Sequence, residues 1–372
     1  MSIKLNKVFL LVTLTLSACQ TTGEVINPSS TVREESQFTL NNATLEQSNA
    51  KGETVWKVQA DKAQYTPDRK KAILQKIRGN LFQDKKLVLQ VTAEKGEVGE
   101  QGEDISLQGN VIAKDPRNGI VMRTSIIEWL PEKDLVQMPK QVKGNHPKLT
   151  VLANQGRYFT RRQRLELIGK IVADSKDPRL QLKTERLAWN IPQQLINGDR
   201  RLAIVRYEDE KVTDRLITNR SDVDLKNNIV VIQENIDFKS IDPPIQIVSN
   251  IIRWNYKTRI VTSEKPVRLL HYQDNVEIAG NQAMVNLRQK VAYLSGGIEG
   301  DSTNNQAKLY AENLTWNIDA KVVEAVGNVT YHQLKSPQFH LTGERAVGRL
   351  QDKSIVVTKG SREQVVTNIV PE

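Results

Sequence analysis

The stretch LQLKTERLAW, from Leu180 to Trp189, decides the fold because its pattern returns along the chain at a nearly constant interval. The apolar or small residues of its pattern are Leu182, Thr184, Leu187 and Trp189. They alternate with other residues at a period of two, and this alternation slips by one residue between Thr184 and Leu187. A strand with such a slip must bend or bulge at that point. The segment therefore predicts a bent β-strand.

The same slipped pattern occurs ten times when tryptophan is not required at its end. Successive copies start 29 to 34 residues apart, most often 31. Spacing this even is typical of a repeat architecture, since chance matches to a loose strand pattern would not keep it. The ten copies are Val58, Ala60, Ala63, Tyr65; Val91, Ala93, Gly96, Val98; Met122, Thr124, Ile127, Trp129; Val151, Ala153, Gly156, Tyr158; Leu182, Thr184, Leu187, Trp189; Leu216, Thr218, Ser221, Val223; Ile247, Ser249, Ile252, Trp254; Ile278, Gly280, Ala283, Val285; Leu309, Ala311, Leu314, Trp316; and Leu341, Gly343, Ala346, Gly348.

The segments between the copies also favour strand. Short runs rich in Val, Ile, Thr and Tyr, such as LVLQVTA and LTVLA, alternate with turn signals such as Asn118-Gly119. A second, weaker repeat, Gly-Asn or Gly-Lys before an apolar residue, follows many copies at Gly79, Gly109, Gly169 and Gly327. Each unit therefore predicts one bent strand going out and one returning, paired antiparallel.

A row of bent antiparallel strands folds over on itself and places two sheets about 10 Å apart. Ten units of two strands, at ~4.8 Å a strand, predict a body about 95 Å long. The predicted fold is all-β: an elongated antiparallel β-jellyroll of about ten repeats of about 31 residues. Its ends are open strand edges, which favour the addition of another sheet. The inner bend would be lined by the small residues Ala60, Ala93, Thr124, Ala153, Thr184, Thr218, Ser249, Gly280, Ala311 and Gly343.

The first residues predict an export signal rather than a part of the folded body. Lys4 and Lys7 precede an apolar run from Val8 to Leu16, which is too short to cross a bilayer and is typical of a secretory signal. The run ends Leu-Ser-Ala-Cys19, which resembles a bacterial lipobox, where the peptide is cut before the cysteine and the thiol is lipidated. Lipid on Cys19 would hold the protein at a membrane. A free thiol after an ordinary signal is the alternative.

Composition and spacing divide the chain into five parts. A seam near Arg200 to Asp214, where the repeat interval lengthens to 34 and charges crowd together, separates two halves or interrupts one continuous array. The predicted parts are a lipoprotein signal at 1–18, a flexible tether at 19–37, an N-terminal jellyroll half at 38–210, a C-terminal half at 211–360 and a tail at 361–372.

The charge balance favours an anionic partner. The chain has a formal net charge of +10, or +8 without Lys4 and Lys7. Such a surface attracts an anionic glycolipid or bilayer headgroups. Two basic clusters, Arg69 to Lys71 and Arg161 to Arg164, are either solvated turns or headgroup sites. Nucleic acid is not expected, because no basic strip interleaved with aromatic residues is present.

Catalytic or metal-binding patterns are weak. The four histidines, His146, His271, His332 and His340, do not show metal-ligand spacing, and the repeats keep no acidic residue at a fixed inward position. We therefore expect neither an enzyme nor a bound cofactor or metal. Two alternatives remain open: a solenoid enzyme acting on polysaccharides, which would need paired carboxylates on one face, and a structural repeat lipoprotein of the cell envelope.

Three pairs of segments resemble a known family. VTAEKGEV with SLQGNVIA, VLANQGRYF with ELIGKIVA, and VWKVQADKAQY with KIRGNLF are similar to the LptA/LptC/OstA-N group of periplasmic lipopolysaccharide-transport proteins. The resemblance extends from about Phe38 to Gly360. The N-terminal anchor favours an LptC-like member. Two differences are a lipobox in place of the usual transmembrane helix and a body about twice the length of one family domain.

This resemblance implies a function in lipopolysaccharide export. The protein would be a lipid-anchored periplasmic component, at the plasma membrane or the outer membrane, that binds lipid acyl chains in an apolar groove and passes them toward the outer membrane. Implied partners are lipopolysaccharide or a related glycolipid, an inner-membrane ABC transporter, and an LptA-like or outer-membrane OstA/LptD-like jellyroll joined by edge-strand addition. Nonspecific apolar contacts suit a lipid that moves between sites.

The inward positions of the repeat supply the candidate groove residues. The tryptophans at the ends of four copies are either core residues or ligand contacts. The lipid-groove candidates are Val58, Val91, Met122, Ile127, Val151, Leu182, Leu187, Ile247, Ile252, Ile278, Leu309 and Leu314, and the lipid-attachment candidate is Cys19.

Overall fold

The computed structural model describes residues 38–99, 102, 104–304, 306–336, 338–351, 354–359 and 366–370. The predicted signal, the lipid-attachment residue Cys19 and the tether at 19–37 lie outside these residues. No helix in the described part of the chain is long and apolar enough to span a membrane.

The described residues form one antiparallel sheet of thirty strands, with a 3-10 turn at Pro131–Lys133. The predicted all-β jellyroll class is therefore confirmed. The strands are β1 (Thr39–Ser48), β2 (Thr54–Tyr65), β3 (Ala72–Gln83), β4 (Lys86–Val98), β5 (Ile105–Lys114), β6 (Val121–Leu130), β7 (Leu135–Met138), β8 (Val142–Asn145), β9 (Leu149–Ala153), β10 (Gln155–Phe159), β11 (Arg164–Lys176), β12 (Arg179–Asn190), β13 (Leu195–Gly198), β14 (Leu202–Glu208), β15 (Lys211–Thr218), β16 (Arg220–Asp224), β17 (Ile229–Gln233), β18 (Asp237–Ser240), β19 (Ile245–Ser249), β20 (Ile251–Asn255), β21 (Ile260–Ser263), β22 (Val267–His271), β23 (Val276–Gly280), β24 (Gln282–Asn286), β25 (Val291–Ser302), β26 (Ala307–Asn317), β27 (Val322–Gln333), β28 (Gln338–Arg349), β29 (Ser354–Thr358) and β30 (Val366–Val370).

The chain crosses the fold many times, and each crossing is here called a passage. Each passage is a bent strand whose two ends lie in two different halves of the folded sheet, here called the arms. A passage is either one long strand or two short strands separated by the bend. In β12, Leu182 pairs with Ile204 in the first arm and Trp189 pairs with Ile196 in the second arm. Each passage pairs antiparallel with the passages before and after it, as the alternating repeat predicts. The pairing of β14 with β15 carries the first arm across the predicted seam near residues 200–214.

Glycine bulges make several of the bends. Gly169 and Lys170 have φ angles of 78° and 45° and together oppose the single residue Glu185. Two residues opposite one residue define a β-bulge, and glycine adopts the positive φ at little steric cost. Gly109 and Gly327 form the same bend. The weaker Gly-Asn repeat therefore marks the bend of the returning strand.

The copy at Gly79 does not mark a bend. In β3 the pairing is interrupted at Lys76, which has a φ of 50°, while Gly79 stays paired with Val58 and Val91. A Cβ at Gly79 would lie 2.9 Å from a Val91 methyl carbon. Glycine is required there for close packing rather than for the bend.

The small residue of each repeat lies directly before the bend of the outgoing strand, as predicted. The inner bend is crowded at Gly343, where a Cβ would meet Val357 Cγ1 at 2.6 Å and the Thr358 carbonyl oxygen at 2.7 Å. In the central repeats, the hydroxyl groups of these small residues also form hydrogen bonds. Thr184 Oγ1 donates to the Arg201 carbonyl at 3.1 Å, and Thr218 Oγ1 donates to the Gln233 carbonyl at 2.6 Å. These bonds satisfy carbonyl groups at the bend of the next passage.

The core is one continuous hydrophobic cluster between the arms. The slipped pattern places its residues there: Leu182, Thr184, Leu187 and Trp189 are buried, and the residues between them are exposed or half-buried. The other copies behave in the same way. Of all the repeat positions, five are half-buried rather than buried, namely Tyr65, Ser249, Leu309, Gly343 and Gly348.

Candidate functional site

The side of the fold opposite the bends, here called the mouth, is where the turns of the two arms face each other. Polar side chains close it in the middle of the chain. Arg206 Nε, from the first arm, donates to the Tyr256 carbonyl of the second arm at 3.1 Å. In the other direction, Arg259 Nη2 donates to the Asp242 carbonyl at 2.8 Å and lies 3.0 Å from Asp214 Oδ1. These contacts hold the arms together.

This central cluster is almost dry. The side chain of Asp214 is fully buried and those of Arg206 and Arg259 are at most 8% exposed. Buried charges are tolerated only when they are paired and hydrogen-bonded, and the carboxylate here lies between two guanidinium groups. Arg259 Nε is buried with no hydrogen-bond partner among the described residues. The sequence indicated crowded charges near Asp214, but not that they join the arms.

A second polar group closes the mouth nearer the N-terminus. Arg117 Nη2 donates to the Thr160 carbonyl at 2.7 Å, and the guanidinium also binds Asp115. The hydroxyl of Tyr158 donates to the same carboxylate. Burial, reinforced by the negative charge of Asp115, raises the pKa of Tyr158 well above its usual range. The phenol is therefore protonated at neutral pH and acts as a hydrogen-bond donor.

The predicted basic clusters are largely engaged in ion pairs. Arg161 lies 2.8 Å from Asp84 and 2.7 Å from Asp134, so it joins the two arms at the mouth. Lys71 lies 2.6 Å from Glu97. These pairs favour the reading of the clusters as structured turns rather than as headgroup sites.

Aromatic side chains pack across the arms beneath the mouth. Trp189 meets His146 edge-on, with ring centroids 4.9 Å apart, and Trp254 meets Phe238 at 5.3 Å. Trp316 is 5.5 Å from His271. The indole N–H groups of these three tryptophans have no hydrogen-bond partner among the described residues. The tryptophans are therefore core residues that span the space between the arms.

Near the C-terminus the arms leave an apolar cleft of about 90 Å³. Its walls come from strands β23 and β25 to β27 of the first arm and from β27 to β29 of the second arm. The cleft is open at the mouth, where Arg349 and Leu350 lie. Its apolar lining includes Val276, Ile278, Leu309, Val323, Ala325 and Ile355.

Four residues, here called the end clasp, bound this cleft on its N-terminal side: His271, Asp274, Trp316 and Lys321. His271 pairs in register with the cleft residue Val276, and Trp316 pairs with the cleft residue Val323. Above these rings, Lys321 Nζ lies 3.0 Å from Asp274 Oδ1 and joins the turns of the two arms. Burial lowers the pKa of His271, and the Asp274 carboxylate partly opposes that effect.

Most groove candidates lie within closed packing. Met122 and Ile252 are 0% exposed and Leu182, the most exposed of the buried candidates, is 8% exposed. Only Leu309 is half-buried. The structure brings Ile278 and Leu309 together in the walls of the C-terminal cleft, while the other ten candidates pack in the core along the length of the arms. Their contact with lipid stays a prediction.

The fold also brings together two histidines that lie eight residues apart in the sequence. His332 and His340 are directly paired on β27 and β28, with their Nδ1 atoms 2.8 Å apart on the outer face. Among the described residues, no group of three or more His, Cys, Asp or Glu side chains is placed to hold a metal ion. Antiparallel pairing, rather than sequence spacing, creates this contact.

Comparison with known proteins gives one family. Residues 8–151 match the family described as lipopolysaccharide-assembly, LptC-related. The matched region includes β1 to β8, with their bent strands and bulges, and ends within β9. A comparison with curated proteins finds no match.

Proposed function

We propose that this chain, whose residues 8–151 match the LptC-related family, is an LptC-like member of the lipopolysaccharide-transport family and a membrane-anchored periplasmic component of lipopolysaccharide export. It binds the acyl chains of lipopolysaccharide or a related glycolipid between its arms. It then passes them from an inner-membrane ABC transporter toward the outer membrane.

The observation that carries this proposal is the C-terminal cleft. Its walls are apolar and it opens at the mouth, so a chain of methylene groups can enter while the polar part of the lipid stays outside. Each methylene group that leaves water contributes roughly fourfold in affinity, the equivalent of about 0.8 kcal/mol. Ile278 and Leu309, both inward positions of the repeat, supply part of this surface.

The size of the cleft indicates that binding requires the arms to separate. A volume of about 90 Å³ is smaller than the roughly 150 Å³ cavity that holds a benzene molecule. An acyl chain therefore has to push the arms apart from the open end. Sheets that meet through side chains only can separate without breaking strand pairing, since the hydrogen bonds of each arm run within that arm.

The edges of the sheet suit docking to another jellyroll. Among the described residues, β1 pairs only with β2, so no other described strand occupies its outer edge. Phe38 and Leu40 near its start are exposed, at 53% and 38%. Edge-strand addition to an LptA-like or OstA/LptD-like partner would bury these groups and extend the inner surface from one protein to the next.

The anchor part of the proposal rests on sequence. Lipid on Cys19 would tether the body to the plasma membrane or the outer membrane through residues 19–37. The excess of basic residues favours contact with anionic headgroups, although Arg161 and Lys71, one from each basic cluster, already pair with acidic side chains.

Site-specific photo-crosslinking in cells tests the lipid contact. A photoreactive residue at Leu309, inside the cleft, should label glycolipid, whereas the same residue at the neighbouring outward position Lys308 should not. Probes at Leu187 and Ile252, with outward controls at Lys183 and Arg253, test whether acyl chains travel farther along the core. Equal labelling at inward and outward positions, or none at any position, would contradict the proposal and favour a structural envelope protein.

A further inference from the structure

We infer that the end clasp sets the depth of the C-terminal cleft and thereby the length of acyl chain that the cleft accepts. This inference rests on the proposed function. It assigns to Asp274, Lys321, His271 and Trp316 a role in the selection of the ligand, beyond their role in joining the arms.

The position of the clasp supports this role. The cleft residues Val276 and Val323 are the register partners of His271 and Trp316, so the two rings form the next layer beyond the cleft wall. Both rings are almost fully buried, at 4% and 1% exposed. With centroids 5.5 Å apart, they fill the space between the arms where the cleft would otherwise continue. An acyl chain that lies in the cleft and extends toward the N-terminal side therefore meets this layer.

The residues beyond the clasp are apolar, so the clasp itself is what blocks an acyl chain. On the side away from the cleft, Ile245 pairs with His271 and Ala292 pairs with Trp316, and both are 0% exposed. A chain that passed the rings would meet methyl groups similar to those of the cleft. The clasp, rather than a change in the chemistry of the core, therefore limits how far the chain can go.

The ion pair at the mouth is weak enough to open. The side chain of Lys321 is 42% exposed and that of Asp274 is 26% exposed, and ion pairs of this kind contribute little to stability because water screens them. Lys290 forms a similar link one pair of passages farther from the cleft, 3.0 Å from Asp242. Opening of the clasp therefore extends the cleft by one step, up to the next link.

A chain-length series tests the inference. Purified protein with Cys19→Ser would be titrated with saturated fatty acids of increasing length, from octanoate to stearate, and the dissociation constants measured by displacement of a fluorescent fatty acid. In the parent, affinity should rise roughly fourfold per added methylene and then level off at the length that fills the cleft. His271→Ala, which removes the ring, should move this plateau to longer chains, and Lys321→Ala should move it in the same direction by a smaller amount.

Arg268→Ala is the matched control. Arg268 pairs with Glu277 at 3.3 Å on the outer face of the same two strands, β22 and β23, so this substitution removes an ion pair without touching the cleft. The control should keep the plateau of the parent. Thermal unfolding of each variant shows whether the fold is retained, and Lys321→Ala keeps the test valid if His271→Ala unfolds.

The outcomes separate the two claims. A plateau that stays at the same chain length in both clasp variants overturns the inference but leaves lipid binding intact. No binding of any fatty acid to the parent overturns the proposed function, and the inference with it.

Discussion

Asp214 Oδ1 lies 3.0 Å from Arg259 Nη2, and this buried contact joins the first arm of the folded sheet to the second. Arg206 lies 3.8 Å from the other oxygen of the same carboxylate. Arg206 also lies 2.9 Å from Glu208, so two carboxylates face the two buried guanidinium groups at the mouth. Buried ion pairs therefore hold the arms together at the centre of the chain, whereas much weaker contacts hold them together at the C-terminal cleft.

We predict that Asp214→Ala destabilises the protein by about 3–5 kcal/mol, because it removes the carboxylate that pairs with the buried guanidinium of Arg259. Urea unfolding followed by tryptophan fluorescence would measure the loss, since Trp254 packs beneath this cluster. Asp199→Ala breaks the exposed pair with Arg186 at 3.7 Å and should change stability by less than about 1 kcal/mol. Similar losses in the two variants would show that the central cluster does not hold the arms.

The inner bend provides a second prediction. Ala311 is buried directly before the bend of β26, so Ala311→Phe should overpack the space between the arms and cost about 1–3 kcal/mol. Thr315→Phe, on the outward face of the same strand, adds the same ring without crowding and is the control. An unchanged melting temperature in Ala311→Phe would place the bend elsewhere.

Stability should fall in mild acid. Burial lowers the pKa of both His146 and His271 in the folded protein, whereas an unfolded histidine titrates near 6.5. Below about pH 6.5 the unfolded chain therefore binds more protons than the folded one, so stability is full above this pH and decreases as the pH falls toward the folded pKa values. In His271→Asn the decline of the melting temperature between about pH 7 and pH 5 should be shallower than in the parent. A parallel decline would assign the pH dependence to other groups.

The anchor prediction concerns Cys19. Cys19→Ala should leave the precursor unprocessed or release the protein from the membrane fraction, because the lipobox cysteine is the acceptor of the lipid. Metabolic labelling with a clickable palmitate analogue would detect the modification in the parent. Recovery of the variant in the membrane pellet, processed like the parent, would count against lipidation.

The repeat unit could be predicted from the sequence because strand alternation has a period of two and any slip must appear as a bend. The slip between Thr184 and Leu187 located the bend at Glu185, and the small residues before it marked the crowded inner face. Gly79 shows the limit of this reasoning. Its dipeptide resembles the other bulges, but the pairing of β3 is interrupted at Lys76, since the position of a bend depends on the pairing register of both neighbours.

The candidate site depended on contacts that join distant parts of the chain. The sequence identified Ile278 and Leu309 as inward residues, but it gave no sign that the cleft lies at the C-terminal end and not along the whole core. The position of the cleft is decided at the mouth, where turns that are separated by many residues in the sequence meet. Lys321 and Asp274 are 47 residues apart, and no pattern of period two relates them.

Local side-chain periodicity thus determined the strands, their bends and the inner face, because each of these follows from the direction in which neighbouring side chains point. Only the tertiary structure decided which parts of the inner face are closed, since closure depends on whether polar side chains from opposite arms reach each other across the mouth. Arg259 and Asp214 do so at the centre. Beyond the end clasp a small apolar cleft remains between the arms.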